Sequence, residues 1–329
     1  MQAIRLEGPG APDSLRLVEQ AIPEPGQKQV RIRVAAAGVN FADVLVRHGA
    51  YQPIPTFPLI PGLEIAGVVD AVGDSVDQAI LGRRVVALVE QGGYAQYAVA
   101  HVAAVVDVPE DLPLETAAGL PVSGMTAYHL THTVAAPEPG DWVVNYAAAG
   151  SVGSLINGLA RARGAHVIAL VGSDDKAARA RELGAEQVLN YRDAENLPEA
   201  VAELTAGHGA DVIYNSVFGS TVGDDFKMLA PRGQLVWFGV AGGMPNSKRL
   251  LAGMMRRFAD APRFSLYHLG ASVKHDAERH RQGWQELFAH LRDGTARLPL
   301  HGVYALADAA VAHAALESRA TMGKLVLKP

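Results

Sequence analysis

From about Pro121 onward, strand-like and helix-like segments alternate, and no other feature of the sequence constrains the fold as tightly. Five short apolar runs, at 142–146, 166–171, 187–190, 211–215 and 234–238, have the length and residue types of buried strands. Between the first two, Val152, Leu155, Ile156, Leu159 and Ala160 recur at helical spacing, and Gly164 stands where a helix C-terminus is commonly capped. Ser173 can cap the next helix, which closes at Gly184. Strands separated by single helices cannot pair as hairpins, so they join one sheet in parallel through right-handed crossovers. An α/β chain with a doubly wound parallel sheet over this stretch is expected.

The first third has a different texture. Val30, Ile32 and Val34 alternate with Arg31 and Arg33, the pattern of a half-buried strand. Further β segments at 62–73, 83–89, 94–100 and 103–108 are separated by Gly, Pro or Asp, which predicts a compact, mostly antiparallel, barrel-like domain with few helices. After Phe264 the pattern passes into a helix near 284–291 and short terminal strands. The 329 residues suffice for two such domains.

Composition narrows the chemistry. The chain has no cysteine, which excludes disulfides, thiolate nucleophiles, iron–sulfur clusters and cysteine-ligated zinc. Its 29 basic and 34 acidic residues give a net charge of -5, without the basic excess of a nucleic-acid binder, so no nucleic-acid partner is expected. Residues 1–10 lack the basic and then apolar pattern of a signal peptide. The most apolar window, 95–108, is broken by Gln96, His101 and Asp107 and falls short of the ~20 residues that span a bilayer. A cytoplasmic protein without membrane association is expected.

The chemistry concentrates at the first strand-to-helix turn, Tyr146-Ala147-Ala148-Ala149-Gly150-Ser151-Val152-Gly153-Ser154. Against the G-x-G-x-x-G fingerprint it presents Ala148, Gly150 and Gly153. A glycine at 150 lets backbone approach a pyrophosphate, one at 153 lets the helix pack closely, and the helix start offers free N–H groups to the anion. The alternative is a tight glycine turn without a ligand. About twenty residues on, where NAD enzymes place an acid for the ribose hydroxyls, Gly172 and Ser173 stand instead, with Lys176 close behind. A hydroxyl and an ammonium suit the 2'-phosphate of NADP, although Lys176 is equally readable as a solvated helix lysine. Asp174 and Asp175 oppose a phosphate unless they point outward as first-turn helix acids.

Taken together, Asn40-Phe41-Ala42-Asp43, Gly62-Leu63-Glu64-Ile65-Ala66-Gly67, the 147–153 turn and the terminal Glu317-Ser318-Arg319-Ala320-Thr321 resemble, in order and spacing over the whole chain, the zinc-free, zeta-crystallin-like quinone oxidoreductases of the medium-chain dehydrogenase/reductases. The resemblance implies a GroES-like catalytic domain at 1–123, completed by 268–329, and a Rossmann domain binding NADPH at 124–267. It implies Gly150, Ser151, Val152 and Gly153 at the pyrophosphate. Ser173, Lys176, Tyr191 and Arg319 would surround the 2'-phosphate, and Thr126 and Phe238 would line the nicotinamide. Gly172, Ser216 and Gly239 complete the implied cofactor set. Asn40 and Tyr51 would lie where nicotinamide and substrate meet, offering an amide and a phenol to a carbonyl oxygen, with Asn40 in both the catalytic and the cofactor-binding sets. Plainer roles are a turn for Asn40, loop packing for Tyr51 and a solvated side chain for Arg319. The chain departs from its relatives at Leu45, often an aromatic, and at Asn215, often an aspartate. A homodimer paired along the sheet edge at 264–269 is also implied, and Met254-Met255-Arg256-Arg257 reads as an oligomer edge or a solvated helix face.

Related alcohol dehydrogenases use zinc. Their Gly-His-Glu motif reads Gly62-Leu63-Glu64 here, and Leu63 cannot ligate. His129 and His132 lie one helical turn apart without an evident acidic partner, and His275 and His280 diverge by ~140° on a helix, so no metal is expected. There is also no G-x-S-x-G hydrolase elbow. Without a Lewis acid the substrate must bring its own electrophilicity, as a quinone or an enone does. The expected function is NADPH-dependent reduction of a quinone. The alternatives are an enone or alkenal double-bond reductase, and a non-catalytic NADPH-binding protein.

Overall fold

The computed structural model describes residues 1–54, 56–193 and 196–329. They form two compact units, Met1–Gly124 with Leu298–Pro329, and Met125–Arg297. The chain thus returns to its first unit at Leu298, later than the 268 read from sequence. The reason is packing: the helix Ala277–Arg292 buries Trp284 and Leu287, and Tyr128 of the helix Met125–His129 donates to its Glu286 at 2.6 Å.

The first unit is organised by the strand Gln29–Val39, whose first half alternates as expected and whose second half, 36–39, is buried throughout. It lies inside a sheet of order Leu300–Ala305, Lys324–Lys328, Gln29–Val39, Glu64–Val72, Arg84–Leu88 and Val105–Asp107, with Tyr97–His101 also paired to it. All neighbours are antiparallel except the first pair. Register fixes what meets at its end. Val39 pairs with Leu325 and Ala37 with Ile65, so Asn40, Lys324 and Glu64 converge although far apart in sequence. A helix that periodicity did not predict, Phe41–Arg47, starts there, and the Asp43 carboxylate accepts the Asn40 backbone N–H at 2.8 Å.

The second unit is the expected doubly wound sheet, all parallel, in the order Gln187–Asn190, His166–Val171, Trp142–Tyr146, Ala210–Asn215, Leu229–Trp237 and Arg263–Leu266. The fifth strand begins earlier than read, at Leu229, and the edge strand is shorter than 264–269, because the chain turns into the helix Leu269–His275. The helix Ser151–Ala162 buries Leu155, Ile156 and Leu159 completely, each worth roughly 1.5–3 kcal/mol, and Gly164 past its end has φ 85°. The strand order reverses between Trp142–Tyr146 and its neighbour Ala210–Asn215, the position where open α/β sheets take ligands beyond their strand ends. Among the described residues no helix is long and apolar enough to cross a membrane.

Candidate active site

In the second unit, Gly150, Ser151, Val152, Gly153, Gly172, Ser173, Tyr191, Ser216, Phe238 and Gly239 all follow the carboxyl ends of parallel strands. Gly150 is the N-cap of the twelve-residue helix and contributes no side-chain cap, and the positive end of the helix dipole there suits an anion. Ala147 turns the chain with φ 50°, and a Cβ on Gly153 would overlap the backbone at Ala147 and Ala148. Two buried asparagines hold this turn. Asn145 donates to Gly153 O at 2.9 Å and Asn157 Oδ1 at 2.7 Å, while Asn157 donates to Ala148 O at 3.0 Å. The motif offered no sign of them.

Ser173 caps the next helix, its hydroxyl accepting from Lys176 N at 3.4 Å. Lys176 is half-buried, and its pKa is lowered by burial and then by the charge of Arg192. Tyr191 brings its hydroxyl against Gly172, so a Cβ there would strike it. Asp174 and Asp175 are exposed on the first helical turn. A hydroxyl, a phenol and two cations therefore gather beyond the second and third strands, a donor set fitted to a phosphate. Arg192 was missed in the sequence, where it was one more polar residue after a strand. Arg319 lies in the other unit, just past the helix Ala309–Glu317, with φ 57°. Thr126 is buried on the helix Met125–His129.

Asn215 has a local explanation. Its Oδ1 accepts Val217 N at 2.8 Å and Phe218 N at 2.7 Å, and its Nδ2 donates to buried Asp225 at 2.9 Å. An aspartate at 215 would set two acceptors face to face, so here the amide fixes the loop that carries Ser216.

In the first unit, Asn40 is 7% exposed and lies between two charged side chains that are almost wholly buried. Its Nδ2 donates to Glu64 Oε1 at 2.8 Å, and its Oδ1 accepts from Lys324 Nζ at 2.6 Å. Lys324 and Glu64 pair at 2.5 Å, and Glu64 Oε2 accepts Val122 N at 2.7 Å. Lys324 carried no motif, yet a lysine heading a strand buried on both faces is a signal in itself.

Beneath Asn40, fully buried Asp43 has its pKa raised to about 7 by burial, which outweighs the Asn40 N–H and the charge of Lys324. Half-buried Tyr51 packs against the core of this unit, and burial, then Asp43, pushes its phenol pKa up, so it remains a hydrogen-bond donor at neutral pH. Behind them Tyr94 meets His313 at 3.1 Å, and Arg47 meets His313 at 3.3 Å and Glu317 at 2.8 Å. Leu45 is half-buried on the helix Phe41–Arg47.

Leu63, in the lost ligand position, is 8% exposed, and among the described residues no three His, Cys, Asp or Glu side chains gather as a metal ion would need. His129 meets another histidine rather than an acid: its Nε2 lies 3.0 Å from His280 Nδ1, and burial lowers the His129 pKa to about 4.

Residues 26–110 match the alcohol dehydrogenase GroES-like domain family, and residues 151–287 the zinc-binding dehydrogenase family. The chain is 34% identical over 326 residues to a 2-haloacrylate reductase of Burkholderia sp, covering 97% of this chain and 96% of that protein. It is 35% identical over 328 residues to the quinone oxidoreductase of Salmonella typhimurium, covering 97% of each. The crystal structure of Escherichia coli quinone oxidoreductase complexed with NADPH superposes with a TM-score of 0.93 at 31% identity, covering 100% of both chains.

Proposed function

Because the chain belongs to the quinone oxidoreductase family of the medium-chain dehydrogenase/reductases, we propose that it is an oxidoreductase that reduces quinones with NADPH, without zinc. The observation that carries this reading is the gathering of a glycine-capped helix start at 150–153 with Ser173, Lys176, Tyr191 and Arg192 along the carboxyl edge of one parallel sheet. The amides at Ser151, Val152 and Gly153 hold the pyrophosphate. The hydroxyl of Ser173, the phenol of Tyr191 and the two cations hold the 2'-phosphate. Thr126, Gly172, Ser216, Phe238 and Gly239 line the remainder of the dinucleotide. Bound there, NADPH supplies the hydride.

The residues around Asn40 supply hydrogen bonds. Reduction of a quinone leaves negative charge on its carbonyl oxygen, and a donor already in place stabilises that charge without reorganising. Asn40 and Tyr51 are those donors. The chain has no cysteine, and Leu63 stands where a histidine would be needed, so in this reading the substrate supplies the electrophilicity. Similarity to the 2-haloacrylate reductase favours a second reading, reduction of an activated double bond, in which the same donors stabilise an enolate. We place the protein in the cytoplasm as a homodimer joined along the sheet-edge strand Arg263–Leu266, where Leu266 is 69% exposed. Purified protein should oxidise NADPH with benzoquinone or naphthoquinone. Turnover of alkenals or haloacrylates with quinones inert would replace the first reading by the second.

A further inference from the structure

Resting on the reading of Asn40 as a donor to the substrate oxygen, we infer that the buried Glu64–Lys324 pair is a positioning device that dictates which end of the Asn40 amide the substrate meets. The two ends of a carboxamide are nearly the same shape, so packing cannot choose between them. Hydrogen-bond chemistry can. The lysine ammonium only donates, so the amide end 2.6 Å from Lys324 Nζ must be the oxygen. The carboxylate only accepts, so the end 2.8 Å from Glu64 Oε1 must be the nitrogen. Turned over, the amide would set donor against donor and acceptor against acceptor in a site where Glu64 is 0% and Lys324 1% exposed. With the oxygen and one N–H engaged, the second hydrogen of Nδ2 is the donor left to offer.

The surroundings are shaped for this pair. A Cβ on Gly38 would overlap the Glu64 carboxylate, and one on Gly119 would lie 2.9 Å from Lys324 Cγ, so both charged stems depend on bare backbone beside them. Stability alone is a poor reason to keep such a pair, since buried ion pairs are often matched by apolar residues of equal volume. Both carboxylate oxygens are also committed, Oε1 to Lys324 and Asn40 and Oε2 to Val122 N at 2.7 Å. A glutamine at 64 must turn its NH2 group either toward the Val122 N–H or toward Lys324 and Asn40 together, and in the second case the Asn40 Nδ2 loses the acceptor that fixes it.

The test is a double-variant cycle in the full-length enzyme with NADPH and naphthoquinone, or cyclohexenone if that is the better substrate. Asn40→Ala, Glu64→Gln and their combination are compared for kcat, KM and NADPH affinity by fluorescence titration. Each single change should lower kcat about tenfold, Glu64→Gln should leave NADPH affinity unchanged, and the combination should be no slower than Asn40→Ala alone. Should Glu64→Gln fail to fold, the charge-free pair E64Q/K324M is compared in the same way, with and without Asn40→Ala. Multiplying losses, an unimpaired Glu64→Gln enzyme, or a general loss of NADPH affinity would overturn the inference while leaving Asn40 as donor. An unimpaired Asn40→Ala enzyme, or no turnover of either substrate by the wild type, would overturn that reading and this inference with it.

Discussion

Lys176→Ala tests the phosphate site most directly, because it should separate two cofactors that differ by one phosphate. Lys176 is half-buried behind the Ser173 cap, with Arg192 near enough to lower its pKa. A charge-assisted hydrogen bond to phosphate contributes roughly 1.5–3 kcal/mol. The lower end applies, since the ammonium is partly solvated and Arg192 remains to neutralise the dianion, and ~1.5–2 kcal/mol is a ten- to thirtyfold loss. NADPH affinity, by fluorescence titration and by kcat/KM, should fall by that factor, with NADH changed by less than about twofold. Burial, then the charge of Arg192, holds the Lys176 pKa below its ordinary 10.5, so the cation is lost at a lower pH than a free lysine's. The wild-type KM for NADPH should therefore climb in the alkaline range below that value, and the climb should be absent in Lys176→Ala and with NADH. Equal losses for both cofactors would remove Lys176 from the 2'-phosphate, and full NADPH affinity in K176A/R192A would refute the cation pair.

Three further outcomes are expected. Asn40→Ala should cost about tenfold or more in kcat/KM for a quinone, Tyr51→Phe less, and saturated alcohols with NADP should not be oxidised, because no Lewis acid is expected to lower the hydroxyl pKa; measurable alcohol turnover would refute this. Asp43 has a folded pKa of about 7 against an ordinary 3.8, so the folded state binds its proton more tightly and the associated stability is lost as pH rises from about 4 through 7. The loss is up to about 4 kcal/mol at 1.36 kcal/mol per unit, so urea midpoints should show Asp43→Asn gaining on the wild type between pH 5 and pH 8, and a constant difference would refute the shift. Leu266→Lys should convert a species of twice the chain's mass into a monomer in light scattering, since it sets like charges along the exposed edge strand, and a wild type already at single mass would refute the dimer.

Local chemistry wrote the parallel sheet and the turn at 146–154 plainly. Helical spacing at Val152, Leu155, Ile156 and Leu159 and the small residues at Gly150 and Gly153 depend only on near neighbours. The polar network around Asn40 was illegible for the opposite reason. Its partners stand 24 and 284 residues away, and only strand pairing on both sides of Gln29–Val39 unites them. The same holds for His129, whose partner His280 is 151 residues distant, and for the return of the chain at Leu298, which follows from helix packing.

Glu64 shows most clearly how a residue can stand in a motif without its role being legible there. In sequence it is the last letter of a zinc motif whose ligand has become Leu63. Fully buried, however, an unpaired carboxylate costs several kcal/mol, so Glu64 can persist only if donors surround it. The chain supplies three: the ammonium of Lys324, the amide of Asn40 and the backbone N–H of Val122. Lys324 could have been read from the same premise. It shares a strand face with Val326 in Lys324–Lys328, where residues 324–327 are all buried, so its charge had to meet an acid inside the fold. A buried acid and a buried base of such different sequence position constrain each other, and in this fold Asn40 lies where the two meet.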